Sequence, residues 1–252
     1  MCTLVLLRRP DHDWPLLAAA NRDEMAGRPS RPPARHWPDR PDVIAGLDEL
    51  AGGSWLGLND HGVMAAMLNR AGTLGPAAGK RSRGELVLDA LDHADAVDAA
   101  QALAELDGRG WRPFNLVVAD NRDAFWIKGD GGARVTVAAI AAGLHMLSAL
   151  DLDDPASPRI AAYAPRFAAA RPPDPEAGDW REWTELMADG GTAGDGEEAA
   201  AMCFLRPSGF GTVSSSLIAL PAIGAEARRR WLFAPGRPDC CEYAPLAGVA
   251  AG

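Results

Sequence analysis

The chain has 252 residues, of which 48% are hydrophobic, and a formal net charge of −9 at pH 7. A chain of this length and apolar content can bury a core of its own, which excludes intrinsic disorder as the default state. Its acidic surface repels phosphate backbones and therefore argues against nucleic acid as a partner.

The start of the chain does not resemble a targeting segment. The apolar run Thr3 to Leu7 precedes the basic residues Arg8 and Arg9, which is the reverse of the order in a secretory signal. The longest apolar runs, such as residues 217–222, are far too short to cross a bilayer. We therefore expect a cytoplasmic protein that forms one domain over residues 1–252 and does not insert into a membrane.

Apolar runs separated by turn residues predict many strands. Thr3 to Arg8 and Pro15 to Ala20 are predicted to form a hairpin around the turn at residues 10–13. Arg28 to Pro41 carries five prolines and is predicted to be an ordered but irregular loop. Further strands are predicted at residues 43–47, 54–59, 63–68, 114–119, 124–128, 134–140, 143–148, 212–220 and 230–234.

Helices are predicted in two places. Ser82 to Glu85 has the spacing of a capping box before one amphipathic helix, and Asp95 begins a second. Residues 157–205 are predicted to be mostly helical, with a mobile surface loop at the glycine-rich stretch 190–196. Because the strands cluster instead of alternating with helices, the order favours an α+β fold of stacked antiparallel sheets covered by helices.

Cys2 is the first candidate for chemistry. If Met1 is removed, residue 2 carries both a thiol and a free α-amine, with ordinary pKa values of about 8.5 and about 7.7–8.0. A neutral amine beside the thiol can accept its proton, so that nucleophile and base occupy one residue. The alternative is a small apolar residue that packs without a catalytic role.

The second candidate is the polar segment that directly follows the apolar run 16–20. It brings together an amide, a guanidinium and two carboxylates, on Asn21, Arg22, Asp23 and Glu24. Asp23 is placed to orient the α-ammonium of Cys2, and Arg22 to bind a substrate carboxylate or to lower the thiol pKa. We expect Asn21 and Glu24 to contact substrate. The alternative is a solvated strand end.

Three further residues complete the predicted site. Asn69 ends the predicted strand 63–68, where a side-chain amide can donate a hydrogen bond to an oxyanion, although a turn-forming role is the alternative. Trp55 is predicted to line an apolar substrate pocket, with core packing as its alternative. Ser148 is predicted to contact substrate on the strength of a family resemblance alone.

No metal or cofactor site is predicted. The four cysteines contain no C-x-x-C pair, which removes the usual basis for a structural zinc site. Adjacent Cys240 and Cys241 form an awkward disulfide and are expected to remain thiols. The five histidines are scattered without the spacing of metal ligands.

These residues also carry a resemblance. The chain resembles the NRDE family, whose best-known members are the transport and Golgi organisation 2 homologues. The first part of the likeness consists, in chain order, of Cys2, the block 17–24, Arg28-Pro29, and the blocks 46–48 and 52–58. The likeness continues through Asn69, the blocks 83–87, 114–116 and 147–148, and the late strand 211–216.

The resemblance implies a four-layer αββα sandwich of the N-terminal-nucleophile (Ntn) hydrolase type, similar to the penicillin V acylases and bile salt hydrolases. In those enzymes an N-terminal cysteine attacks an amide, and an aspartate on the next strand contacts the α-amine. Asp23 matches that aspartate, Arg22 is the candidate for the arginine that precedes it, and Asn69 is the candidate for the oxyanion-hole asparagine.

One departure from the family pattern concerns the segment Leu147 to Leu150. The family usually has Leu-Ser-Asn-Ala there, whereas this chain has Ala149 in place of the asparagine. Losing one oxyanion donor costs about 2.7–4 kcal/mol of transition-state stabilisation, unless Ser148 or a main-chain N–H replaces it.

Two functions follow as hypotheses. The first is a cysteine amidohydrolase that acts on a non-peptide C–N bond of a small amide or acyl substrate through a thioester intermediate. The second is a non-catalytic binder or carrier of lipid-derived molecules, acyl-CoA or haem, in which Cys2 or a histidine serves as a ligand.

Overall fold

A computed structural model describes residues 2–191 and 200–249 of the chain. The chain forms thirteen strands and four helices within those ranges. In chain order they are β1 (Thr3–Arg8), β2 (Leu16–Met25), β3 (Ser30–Ala34), β4 (Val43–Asp48), β5 (Leu56–Asn59), β6 (Met64–Asn69), α1 (Gly84–Leu91), α2 (Ala96–Ala104), β7 (Phe114–Ala119), β8 (Ala124–Gly129), β9 (Val135–Ala139), β10 (Gly143–Leu147), α3 (Pro158–Ala169), α4 (Arg181–Ala188), β11 (Phe210–Leu220), β12 (Arg230–Ala234) and β13 (Ala244–Pro245).

These elements belong to two compact units. Within the described ranges, the first unit holds residues 2–27 and the chain from Ala142 to Val249, and its sheet has the strand order β10-β1-β2-β11-β12-β13. The second unit holds residues 28–141, and its sheet has the order β3-β4-β5-β6-β7-β8-β9. Every strand pair in both sheets is antiparallel, which confirms the predicted pair of antiparallel sheets.

Helices cover one face of each sheet. In the first unit, α3 and α4 bury Ile160 and Trp183 against Leu17 and Leu217 of the sheet. Ser157 begins α3 because its hydroxyl accepts the Ile160 N–H, and a proline follows it in the first turn, where no intrahelical donor is needed. In the second unit, the side chains of α1 and α2 pack on β4, β6 and β7.

Strand β2 is longer than predicted, and this change affects the site. The strand continues from Leu16 through the polar segment 21–24 to Met25, so that this segment lies within the sheet and not at a solvated strand end. It can do so because β11 pairs with the whole segment, and β1 pairs as far as Asn21, so the strand's main-chain groups find partners in the sheet. The pairing with β11 contains a bulge, since the register shifts between Thr212 and Ser214.

Other predicted elements need correction. The predicted loop 28–41 contains β3, which tolerates Pro32 and Pro33 because it is an edge strand with an irregular register. The capping box does not form, because Arg83 is the N-cap of α1 and the Glu85 N–H donates to the Ser82 carbonyl oxygen. The short strand β13 was not predicted. Most of the predicted mobile loop, residues 192–199, lies outside the described residues.

Within the described ranges, no helix combines the length and the apolar character needed to cross a bilayer.

Candidate active site

The thiol of Cys2 lies against the main chain of Asp23. Cys2 stands just before β1, which pairs with β2 in a register that joins Thr3 to Asn21. The Asp23 N–H donates to Cys2 Sγ at 3.4 Å, and Sγ donates to the Asp23 carbonyl oxygen at 3.6 Å. The sulfur is therefore held at one point on the neighbouring strand, and the residue is only partly buried.

The carboxylate of Asp23 is fully buried and is bound on both oxygens. Arg159 Nη1 of α3 donates to Oδ2 at 3.0 Å, and the Thr212 hydroxyl of β11 donates to Oδ1 at 2.9 Å. Arg159 Nη1 also donates to the Thr3 hydroxyl at 2.5 Å, and its guanidinium lies 5.5 Å from the centre of the Phe204 ring. The carboxylate is thus charge-balanced and fixed in direction.

Alternate residues of β2 face opposite sides of the sheet. Asn21 and Asp23 point to the side covered by α3 and α4, as their contacts with Met187 and Arg159 show. Arg22, which is 7% exposed, points to the other side. Continuing the β1–β2 register by one pair sets Cys2 across from Arg22, and the charge of Arg22 acts on the thiol.

Ser148 contacts the main chain of Cys2. It follows β10, whose Leu147 pairs with Leu4 of β1, and its hydroxyl donates to the Cys2 carbonyl oxygen at 3.3 Å. Cys2 is therefore bound from both sides, its carbonyl oxygen by Ser148 and its sulfur by the main chain of Asp23.

The thiol is biased towards its neutral form. Burial is the largest cause that raises the pKa of Cys2, and the negative charge of Asp23 raises it further. The positive charge of the N-terminal amine, the main-chain hydrogen bond from Asp23 and the charge of Arg22 lower the pKa but are weaker. A nucleophilic role for this sulfur therefore requires a base that removes the proton during attack, because a resident thiolate is disfavoured.

The other polar residues of the segment bind main-chain groups of the protein. The Asn21 side chain donates to the carbonyl oxygens of Met187 at 3.0 Å and Met202 at 2.8 Å, so both amide hydrogens are used within the protein. Its Oδ1 has no hydrogen-bond partner among the described residues. One carboxylate oxygen of Glu24 accepts the Met25 N–H at 2.8 Å.

The sequence pattern of the family described as Transport and Golgi organisation 2 matches residues 1–188. The chain belongs to this family. It is 35% identical over 151 residues to the Transport and Golgi organization protein 2 homolog of Bos taurus, which covers 56% of this chain and 52% of the relative. The homolog of Homo sapiens is 38% identical over 122 residues, covering 46% of this chain and 41% of the relative. The match thus spans about half the length of these relatives.

Solved structures share the fold of this Transport and Golgi organisation 2 family member. They include an N-acylethanolamine-hydrolyzing acid amidase ortholog of Caenorhabditis elegans, with a TM-score of 0.56 and 13% identity over 86% of this chain and 92% of that chain. Penicillin V acylase from Agrobacterium tumefaciens has a TM-score of 0.54 and 11% identity over 100% of this chain and 88% of that chain. At such identities the likeness establishes the fold alone, and it confirms the predicted Ntn-hydrolase-like class.

Two predicted site residues of this family member belong to the second compact unit. Asn69 ends β6, where it pairs with Phe114 of β7. Trp55 packs on Gly46, because a Cβ built on that glycine comes within 2.3 Å of the indole ring. Their roles as oxyanion donor and pocket wall stay predictions.

The sequence did not predict that Arg159 and Thr212 bind the Asp23 carboxylate. Arg159 is 6% exposed and stands next to Ile160 at the start of α3, whose apolar face also carries Tyr163 and Phe167. A charged residue at the border of such a face was the available signal, since buried arginines need a partner. No cluster of histidine, cysteine and carboxylate side chains in the described ranges has a geometry suited to a metal ion.

Proposed function

We propose that this member of the Transport and Golgi organisation 2 family is an N-terminal-cysteine amidohydrolase that cleaves a non-peptide C–N bond in a small amide substrate. The observation that carries the proposal is the pairing of Cys2 Sγ with the main chain of Asp23, whose buried carboxylate is bound by Arg159 and Thr212. The Ntn-hydrolase-like fold, shared with acylases and an acid amidase, supports the same reaction class.

The reaction begins at Cys2 once Met1 has been removed. The free α-amine takes the thiol proton while the sulfur attacks the substrate carbonyl carbon, so no resident thiolate is needed. This agrees with a thiol whose pKa is raised by burial. The Asp23 carboxylate is proposed to orient the resulting ammonium, because Arg159 and Thr212 fix its direction.

The tetrahedral intermediate then collapses. Its oxyanion needs a hydrogen-bond donor for stabilisation, and the ammonium returns a proton to the departing amine as the C–N bond breaks. The acyl group stays on Cys2 as a thioester, which water hydrolyses to a carboxylic acid and the free thiol. Arg22, Glu24 and Ser148 are proposed to contact substrate, whereas Asn21, predicted to do so, has both amide hydrogens bound within the protein.

The decisive experiment compares Cys2→Ala with Cys240→Ala. Both residues are free thiols, but Cys240 is exposed and lies in a surface turn. Intact mass first establishes whether residue 2 is the mature N-terminus. Hydrolysis of a fluorogenic dodecanoyl amide of aminomethylcoumarin should fall by about a thousandfold or more in Cys2→Ala and in protein with a blocked N-terminus, and should be unchanged in Cys240→Ala.

The same experiment separates the two hypotheses. Full turnover by Cys2→Ala or by blocked protein would refute the amidohydrolase. Carriage of a lipid-derived molecule, acyl-CoA or haem would then be the remaining alternative, which titration with haem tests through a shift of its Soret band.

A further inference from the structure

A row of four residues crosses the six-stranded sheet at the position of Cys2. Ser214 of β11 pairs with Arg22 of β2, and continuing the β1–β2 register sets Arg22 across from Cys2. Continuing the β1–β10 register by two residues sets Ala149 across from Cys2 on the other side, which agrees with the hydrogen bond from Ser148 to the Cys2 carbonyl oxygen. Neighbouring strands lie about 4.8 Å apart, so the four residues are evenly spaced along a line.

These four side chains face away from the helices. The adjacent row contains Thr3, Asn21 and Ser215, whose side chains contact Arg159, the main chain of Met187, and Tyr243 on the helix-covered side. Side chains alternate along each strand. The side chains of Cys2, Arg22 and Ser214 therefore share the opposite face, and the bulge before Ser214 is what places its hydroxyl there.

Ser214 is an unusual member of this row. Its side chain is buried, with 6% of the residue exposed, and its hydroxyl forms no hydrogen bond with any residue in the described ranges. The Ser214 oxygen is not one of the fully enclosed, unpartnered side-chain atoms of the described ranges, so it is accessible to a ligand from this face. The neighbouring Arg22 adds a buried guanidinium with five N–H donors.

The row is polar on one side of Cys2 and apolar on the other. Arg22 and Ser214 supply a cation and a hydroxyl within two strand spacings of the thiol, whereas Ala149 supplies only a methyl group. In a substrate amide bound over the Cys2 sulfur, the part on one side of the scissile bond therefore lies beside Arg22 and Ser214, and the part on the other side lies beside Ala149. The polar half must carry hydrogen-bond acceptors and negative charge to match a guanidinium and a hydroxyl.

We propose that Arg22 and Ser214 bind a carboxylate of the substrate, located two to four bonds from the scissile carbonyl, and that Ser214 is a specificity-determining residue of this site. The inference rests on the proposed function for the position of the scissile bond. The Ser214 hydroxyl donates to one carboxylate oxygen, and the Arg22 guanidinium binds the other. The remainder of the substrate, over Ala149, is apolar.

Binding to the Cys2→Ala variant tests the proposal without requiring turnover. The probes are two isosteric pairs that differ only in a carboxylate or a carboxamide: N-decanoylglycine with N-decanoylglycinamide, and N-decylsuccinamic acid with N-decylsuccinamide. The first pair carries the charge in the amine half of the substrate and the second in the acyl half. Calorimetric titration gives Kd for each probe with Cys2→Ala, Cys2→Ala/Ser214→Ala and Cys2→Ala/Ser216→Ala.

Ser216 is the matched control, because it is also buried on the same face of β11 but pairs with Ala20, two rows away. In at least one pair, Ser214→Ala should weaken carboxylate binding about tenfold or more, with less than about a threefold change for the carboxamide and none from Ser216→Ala. The melting temperature of Ser214→Ala should not fall, since the hydroxyl forms no hydrogen bond with a described residue that the substitution would remove.

Three outcomes would overturn the inference. The first is an equal change in Kd for Ser214→Ala and Ser216→Ala, and the second is an equal change in Kd for the carboxylate and the carboxamide probe. The third is the absence of tighter carboxylate binding in both pairs. These outcomes are independent of turnover by Cys2, so failure of the carboxylate site is distinguishable from failure of the amidohydrolase proposal.

Discussion

Replacing Arg159 by methionine tests whether the buried ion pair with Asp23 holds the site together. The Asp23 side chain is 0% exposed and that of Arg159 is 7% exposed, and their atoms approach to 3.0 Å. Removing one partner of a buried pair leaves an uncompensated charge and costs about 3–5 kcal/mol. For a chain of this size, each kcal/mol lowers the melting temperature by about 2–4 °C, so a fall of roughly 6–20 °C is expected.

Arg166→Met on the same helix is the matched control. Arg166 pairs with Asp189 at the surface, where the two side chains are 49% and 27% exposed, so its loss should cost less than about 1 kcal/mol. Urea unfolding of both variants gives the free energies directly. The double variant Arg159→Met/Asp23→Asn should regain part of the loss, because it no longer buries an unpaired charge. If Arg159→Met is no less stable than Arg166→Met, or if removing the Asp23 charge recovers nothing, the ion-pair argument is wrong.

Two further predictions concern packing and pH. Gly46→Ala should lower the free energy of unfolding by roughly 1–3 kcal/mol because the new methyl group collides with Trp55, whereas Gly110→Ala, with no atom within 4 Å, should change it by less than about 0.5 kcal/mol in the same urea titration. Burial raises the pKa of Cys203 from 9.0 to about 11, so the native state keeps a proton that the unfolded chain loses. This contribution to stability is complete below pH 9 and is lost as the pH rises towards 11. Urea unfolding across that range should therefore show a steeper decline for the native chain than for Cys203→Ala, and parallel declines would contradict it.

Local signals in the sequence predicted much of the fold. The hairpin of β1 and β2 follows from apolar runs divided by turn residues and is confirmed, and the predicted strands 54–59 and 63–68 form the antiparallel pair β5 and β6. The strand β3 was missed because prolines count against a strand unless its place at a sheet edge is known, and edge position is a tertiary property. The same holds for β13, which is two residues long and exists only through its pairing with β12.

In the candidate site, too, local sequence signals predicted some residues, whereas others depend on tertiary packing. Cys2 and Asp23 were predicted because a hairpin brings them to adjacent strands, and the structure joins them through main-chain contacts. The partners of the Asp23 carboxylate could not be predicted, since Arg159 and Thr212 lie 136 and 189 residues further along the chain. Their positions depend on how α3 and β11 pack on β2, which no local pattern of residues encodes.

The bulge in β11 places the hydroxyls of Thr212 and Ser214 on opposite faces of the sheet, whereas a regular strand would place both on the same face. In a regular strand, hydroxyls two positions apart emerge on the same side, so Thr212 and Ser214 would compete for one neighbour. With Val213 inserted between them, one hydroxyl reaches Asp23 and the other stands beside Arg22. Relatives that retain the four-letter motif but lack this insertion would lose one of the two partnerships, so strand length around position 213 is as informative about shared chemistry as the motif itself.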